Sequence, residues 1–274
     1  MSQVALKTFD VRRRPAAFEL FDTRNLNLLR ELTISQFKLK DQSTFFGLLW
    51  SFLNPLFMVG ILFVFFGSRF GKGIEHYGLF LLLGMVQYTH FANATNNAMR
   101  ALLMMRQLTK ETVFPKELIV ISSTLSNTID FVIAMVVCVV AAYFGGVEPS
   151  WTQLLLIVVV LLQFLLVVWV SLLLACIYPV ARDIEHIYQV FLRALMFVTP
   201  IFYTATALGT GRAAQYMLAL NPLAQLIGAA RSILIDARAP AAVVLLAVTA
   251  ANLALVWASW RLFKSLEGRL AEYV

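Results

Sequence analysis

A chain of 274 residues that is 60% hydrophobic, only 14% charged and +0.79 in mean hydropathy lies outside the range of soluble domains, where about a quarter of residues are charged. This is the composition of an integral membrane protein, so the formal net charge of +7 points to topology and not to nucleic acid. The two cysteines, Cys138 and Cys176, each fall inside an apolar run and read as small buried hydrophobes, not as a disulfide or metal pair.

The first 15 residues, with Arg12, Arg13 and Arg14, are polar and contain no apolar core, which sets the expectation that no cleavable signal peptide is present. From Arg24 the pattern turns helical. At 100° per residue, Arg24, Asn27, Glu31, Ser35, Lys38 and Gln42 share one narrow stripe. Leu26, Leu28, Leu29, Leu32, Ile34, Phe37 and Leu39 cover most of the remaining circumference. A thin wet edge and a broad apolar side suit a helix lying on a membrane surface, though an ordinary amphipathic core helix has the same pattern. The next stretch of chain favours the surface. It turns through Ser43, Thr44 and Gly47, where a missing Cβ permits a sharp bend, into a long apolar run.

A spanning helix needs about 20 apolar residues. Charge-free runs of that order are 47–68, 77–99, 149–181 and 239–260; run 118–147 carries Asp130, and run 187–211 carries Arg193 near its start. A further run, 213–230, is broken by Asn221-Pro222, a turn signal that suits a re-entrant pair. Six spans with the N-terminus inside place 17 of the 22 Lys and Arg on the inner side, whereas seven would put Arg261, Lys264 and Arg269 outside. The expected fold is therefore an all-α integral membrane protein. It has six transmembrane helices, an N-terminal amphipathic interface helix, and a re-entrant outer-leaflet helical hairpin between spans five and six. The parts are a cytoplasmic segment 1–46, a transmembrane domain 47–263 and a cytoplasmic tail 264–274. Within the domain lie an inner segment 104–117, an inner turn 179–186 and the hairpin 205–238.

Catalytic signatures are missing. There is no H-E-x-x-H, no G-x-S-x-G and no metal-spaced His/Cys cluster, and His76, His90 and His186 are far apart. The run from Gly67 to Lys72 superficially resembles a phosphate loop but has three residues between its glycines and Gly73 after the lysine. The expectation is a chain that is not an enzyme and binds no metal or cofactor, with any ATP held by another polypeptide. Two charges sit within spans, where even the lenient insertion scale sets a cost of about 2.5–3.5 kcal/mol. Arg193 is close enough to the span start to snorkel. Asp130, flanked by Asn127 and Thr128 near mid-bilayer, reads as a helix–helix hydrogen bond or a water-lined wall, with a proton relay as the alternative. Pro200 interrupts the fifth span and frees a carbonyl, which together with Asn221-Pro222 suggests a movable outer gate.

Several short motifs then fall in one order. The lead-in Phe46-Gly47-Leu48-Leu49-Trp50-Ser51-Phe52-Leu53-Asn54-Pro55 is similar to the Leu-Gly-x-x-Trp-x-x-x-x-Pro of ABC-2 type exporter membrane subunits. Phe114-Pro115 resembles the Phe-Pro closing that family's first coupling helix, and Arg182-Asp183-Ile184 its Arg-Asp at the fifth span. Thr199-Pro200-Ile201-Phe202-Tyr203 is similar to its Thr-Pro-Ile-x-Tyr, and Asn221-Pro222 to its Asn-Pro in the re-entrant pair. The closest likeness is to the branch that moves lipid-linked polysaccharides such as O-antigen and teichoic acid. Where family members place Arg-Tyr before the glycine, this chain has Lys40 and Asp41, and Phe46 replaces the usual leucine.

The resemblance implies a homodimer in a bacterial inner membrane, both termini cytoplasmic, whose two halves line a glycan-wide channel. Two copies of a separate cytoplasmic ATPase, carrying ATP and magnesium, would drive it. Contacts with that ATPase would come from Arg106, Lys110, Glu111, Phe114, Pro115, Lys116, Arg182, Asp183 and Glu185, whose charges are otherwise ordinary positive-inside determinants. Arg24, Arg30, Lys38, Lys40, Gly47 and Trp50 lie where an anionic lipid head group enters, or where the helix is anchored to anionic lipid. Candidates for the channel or gate are Phe57, Tyr88, Phe91, Asp130, Trp169, Tyr188, Phe197, Pro200, Phe202, Tyr203, Asn221 and Pro222, most of whose rings must simply pack between helices or face lipid. The partners implied are the second copy, the ATPase, a lipid-linked glycan and membrane lipids, with no nucleic acid. The alternatives are a permease of the same class for teichoic acid, capsule or a small drug, and a membrane enzyme acting on lipid carriers.

Overall fold

The computed structural model describes residues 22–41, 49–71, 73–111, 114–204 and 211–273. Among the described residues every regular element is helical. In chain order they are α1 (Thr23–Asp41), α2 (Leu49–Phe70), α3 (Tyr77–Met104), the short α4 (Arg106–Glu111) and α5 (Glu117–Phe144). A 3-10 turn (Trp151–Leu155) then leads into α6 (Leu156–Ile177), followed by α7 (Ile184–Val198), α8 (Arg212–Leu220), α9 (Pro222–Leu234) and α10 (Ala242–Tyr273).

Among the described residues three stretches are long and apolar enough to cross a membrane: Glu117–Phe144, Trp151–Ile177 and Ala242–Leu270. The apolar part of α2, Leu56–Ser68, is shorter. α3 has 28 residues but interrupts its apolar run with Gln87, Thr89, His90, Asn93, Thr95, Asn96 and Asn97. The run 187–211 is not one helix: α7 occupies Ile184–Val198 and stops there. Thr199, which precedes proline, is extended at φ −79° and ψ 131°, as the Pro200 ring demands.

The ends of the elements follow from their residues. α5 begins two residues after Pro115, and Leu118 N–H returns to the Pro115 carbonyl at 3.1 Å. It ends at Gly145-Gly146, where Gly146 takes φ +88° and lets Val147 N–H reach the Ala142 carbonyl at 3.0 Å. Asn221 caps α9, its Oδ1 accepting from Ala224 N–H at 3.1 Å with Pro222 in the first turn.

α3 is the central helix, packed against α2, α5, α6 and α9. Two apolar clusters stack along it. The larger joins Leu81, Leu83, Met85 and Val86 to Phe131, Met135 and Cys138 of α5, Leu166 of α6, and Leu226, Ile227 and Ala230 of α9. The smaller joins Ala98, Ala101 and Leu102 to Ile119 and Val120 of α5, Leu172 and Ala175 of α6, and Phe263 and Leu270 of α10. Inside a bilayer no hydrophobic drive pulls helices together, so close packing and interhelical hydrogen bonds must do so. Ala94 and Ala98, four apart and fully buried, supply the small surface that close approach requires.

Candidate functional site

Charged groups gather at one end of the bundle, where α3 and α10 finish and α5 and α7 begin. Glu117, fully buried, pairs with Lys264 of α10 at 2.8 Å, and Lys264 also reaches Glu267 at 3.0 Å. Glu267 Oε1 in turn accepts from the Lys116 backbone N–H at 2.9 Å, so α10 grips the joint between α4 and α5. Thr109, buried in α4, donates to the Met105 carbonyl at 2.8 Å and the Leu102 carbonyl at 3.2 Å, turning α4 back on α3. Arg100 pairs with Glu185, whose other oxygen accepts from the Tyr178 hydroxyl at 2.9 Å. Burial first, and then that carboxylate, raise the Tyr178 pKa above its ordinary value.

Of the residues singled out for ATPase contact, Arg106, Arg182 and Asp183 are exposed and Phe114, Pro115 and Lys116 are half-buried. Glu185 is already engaged within the chain. The side chains of Lys110 and Glu111 lie outside the described residues. On α1, Arg24, Asn27, Arg30, Glu31, Ser35 and Lys38 are exposed while Leu32 and Thr33 are buried. The helix is seated on α5 by a hydrogen bond from Gln36 Nε2 to Ser122 Oγ at 2.7 Å. Gly47 and the side chains of Lys40 and Trp50 lie outside the described residues.

From this charged end a polar flank runs inward along α3 and α7. Arg100 and Glu185 come first, then Gln189 Nε2 donating to Asn96 Oδ1 at 3.1 Å. Further along the two helices come Asn93 and Arg193, both exposed, and Asn97 on α3 is exposed as well. Tyr188 turns to the other side, buried, and donates to Thr95 Oγ1 at 2.7 Å. Asp130 lies between α3 and α5, where a cavity of about 50 Å³ is bordered by Thr89, His90, Asn93, Asn127 and Asp130. His90 stacks on Phe131 with centroids 4.2 Å apart and meets Thr128 Oγ1 at 3.3 Å, while Asn97 donates to Asn127 Oδ1 at 2.9 Å.

At the opposite end lies the break after α7. Carbonyls released there need donors, because neither a helix nor lipid supplies any. Arg231 of α9 supplies two of them. Its Nη1 donates to the Pro200 carbonyl and its Nη2 to the Ile201 carbonyl, each at 2.6 Å. Nε and Nη2 also reach the Phe80 carbonyl on α3 at 3.2 and 2.9 Å. The guanidinium carbon stands 3.3 Å from the Phe80 ring centroid. The Tyr77 hydroxyl takes the next carbonyl, Phe202, at 2.8 Å. Gly84 makes room: a Cβ there would sit 2.7 Å from Arg231 Nη2 and 3.2 Å from the Ile201 oxygen. Asn221 completes the joint by donating to Thr199 Oγ1 at 2.9 Å. By its sequence Arg231 is only an outer-side charge; the signal that could have marked it is a lone cation within the apolar stretch after Asn221-Pro222.

The remaining aromatic candidates divide by burial. Phe91, Phe202 and Tyr203 are buried in the chain's own core, and Tyr203 donates to the Phe197 carbonyl at 2.6 Å. Tyr88 is half-buried and bonded to the Leu192 carbonyl at 2.8 Å; Trp169 is half-buried and bonded to Asn252 Oδ1 at 3.0 Å. Phe57 and Phe197 are exposed, and Pro222 is half-buried. Phe91, Trp169, Asn221 and Pro222 border an apolar cavity of about 370 Å³ between α6, α7, α8 and α9. Among the described residues no group of His, Cys, Asp and Glu is placed to hold a metal ion.

Residues 27–235 match the family described as ABC-2 type transporter. The O-antigen export system permease protein RfbA of Myxococcus xanthus is 28% identical over 256 residues, 93% of this chain and 98% of that protein. Two proteins of the same name from Klebsiella pneumoniae are each 26% identical over 202 residues, 73% of this chain and 77% of theirs.

Proposed function

The chain belongs to the ABC-2 type transporter family, and on that premise we propose that it is the membrane-spanning permease subunit of an ABC exporter for a lipid-linked, O-antigen-like polysaccharide. The protein sits in a bacterial inner membrane with six spans and both termini cytoplasmic. α1 lies along the inner surface, and α8 with α9 forms a re-entrant hairpin in the outer leaflet. Two copies line the path, and two copies of a separate ATPase bind and hydrolyse ATP. The relatives named as O-antigen export permeases support the substrate class.

The observation that carries the reading is the polar flank of α3 and α7. Asn93, Asn97 and Arg193 stand exposed on α3 and α7 in one protomer. Lipid cannot hydrogen-bond them, so they belong against water, a second copy or a hydroxyl-rich substrate. Amides that both donate and accept suit sugar hydroxyls of varied geometry. At the charged end, α4 with Pro115 and the turn bearing Arg182 and Asp183 offer the ATPase its footholds. Arg24, Arg30 and Lys38 meet the head group of the lipid carrier.

The test is reconstitution of the chain with its ATPase in vesicles loaded with lipid-linked O-antigen precursor. Glycan reaching the far side only with hydrolysable ATP supports the reading; ATP hydrolysis indifferent to both chain and glycan refutes it.

A further inference from the structure

An ionisable side chain inside a membrane bundle faces its interior or a water-filled cavity and pairs with another charge or with backbone carbonyls. Arg231 is 8% exposed, and among the described residues each of its hydrogen bonds runs to a backbone carbonyl: Pro200 and Ile201 beyond α7, and Phe80 on α3. It therefore ties three pieces of chain, α3, α9 and the exit side of α7, through one side chain. The segment it holds contains Pro200 and is non-helical, and among the described residues no backbone N–H reaches the Pro200 or Ile201 carbonyl. Beside it lies a cavity of about 400 Å³, bordered by Gly73, Glu75, Phe80, Thr204, Arg231 and Asp236. Glu75 and Asp236 are both exposed. A guanidinium leaving the carbonyls would meet a cavity bordered by two exposed carboxylates. Two places for one cation are what a bistable element requires.

We propose that Arg231 is a positioning residue that latches residues 200–202 against α3, and that opening of the exit moves its guanidinium from the Pro200 and Ile201 carbonyls into the cavity toward Glu75 and Asp236. The proposal rests on the exporter reading and identifies which bond must break for the gate to move. Gly84 is part of the same device, since the missing Cβ lets the guanidinium and the Ile201 backbone meet α3. The fork geometry matters as much as the charge, because a lysine ammonium cannot span three carbonyls on separate segments.

The experiment places a reporter cysteine at Ile201→Cys, a position with 0% exposure, in a Cys138→Ala/Cys176→Ala background, in the complex with the ATPase. A membrane-impermeant maleimide is applied from the outer side, with Ala94→Cys in the core as a control for fold. Position 201 should label slowly at rest and faster during ATP turnover. Arg231→Gln should raise the resting rate about tenfold or more, as loss of charge-assisted hydrogen bonds implies, and abolish the response to ATP. Arg231→Lys should fall between the two. Gly84→Ala, with the guanidinium still present but displaced, should raise the resting rate as well. Unchanged labelling at 201 in both Arg231→Gln and Gly84→Ala overturns the latch. If Arg231→Gln also exposes position 94 it has lost the fold, and Gly84→Ala then decides. In that variant a rise confined to 201 supports the latch, and a rise at both positions or neither overturns it. The resting rates need no glycan, so failed export with the expected labelling overturns the exporter reading alone.

Discussion

Lys264→Met is the sharpest test of how the charged end is held. The substitution keeps the length and most of the apolar stem of the side chain while removing the ammonium that pairs with Glu117 at 2.8 Å and with Glu267 at 3.0 Å. Glu117 has no exposed surface, and its Oε2 takes no hydrogen bond among the described residues. Oε1 also accepts from the Trp260 indole N–H, long at 3.4 Å. Stripping one partner from a buried ion pair costs about 3–5 kcal/mol, mostly the penalty for the charge left behind. Lys264 keeps 19% of its side chain exposed, so water relieves part of that penalty and the low end, about 3 kcal/mol, applies. For chains of this size, about 2–4 °C of melting temperature is lost per kcal/mol, which gives a drop of roughly 6–12 °C. A thermal melt of the purified permease–ATPase complex reads it directly. Glu117→Leu combined with Lys264→Met removes both charges and should recover most of the loss, since apolar replacement of a whole buried pair is close to neutral. Melting of Lys264→Met within about 2 °C of the parent, or a double variant less stable than the single one, refutes the reasoning.

Asn93→Leu should leave ATP hydrolysis near the parent rate and cut ATP-driven glycan transfer severalfold, because the change removes a hydrogen-bonding group from an exposed flank. Asp130→Leu should lower folded yield or transfer, whereas Asp130→Asn, which can still hydrogen-bond at the cavity shared with His90 and Asn127, should retain most of both; a parent-like leucine variant would remove Asp130 from any role. Asn221→Ala deletes the α9 cap and the bond to Thr199, a loss of about 1–2 kcal/mol visible in the same melt, with Asn221→Ser recovering about half.

What the sequence made legible was local. The exposed stripe of α1 comes directly from the spacing of Arg24, Asn27, Glu31, Ser35 and Lys38. The break at Pro200 and the turn at Asn221-Pro222 come from proline chemistry. The hidden part depends on partners distant in the chain. Nothing in the pattern around Arg231 announces that backbone carbonyls of Phe80, Pro200 and Ile201 will surround it, because carbonyls are the same in every residue. The pairing of Glu117 with Lys264 is hidden in the same way, each charge reading alone as an ordinary inner-side residue. Tyr188 was legible as an aromatic suited to a sugar path, but Thr95 on the neighbouring helix satisfies its hydroxyl and draws the ring inward.

The same distinction between packing and directional bonding sets α7 apart from its neighbours. α7 buries only Tyr188 and Leu192 among its 15 residues within the protomer, whereas α6 buries 12 of 22. What ties α7 to α3 is instead a ladder of polar contacts. It runs from Arg100 with Glu185, through Asn96 with Gln189 and Thr95 with Tyr188, to Tyr88 with the Leu192 carbonyl, and it ends in the Arg231 bonds beyond Pro200. Interdigitated apolar side chains resist sliding over a continuous surface, so such helices move as blocks. Hydrogen bonds are discrete, each can be exchanged for one to water, and the net cost of an exchange is about 1 kcal/mol. A helix held this way can shift along its neighbour once water or a hydroxylated chain lies alongside to take over the released groups. On the exporter reading, α7 links the turn bearing Arg182 and Asp183 to the Arg231 latch as one rod, so a push by the ATPase at the first would reach the second.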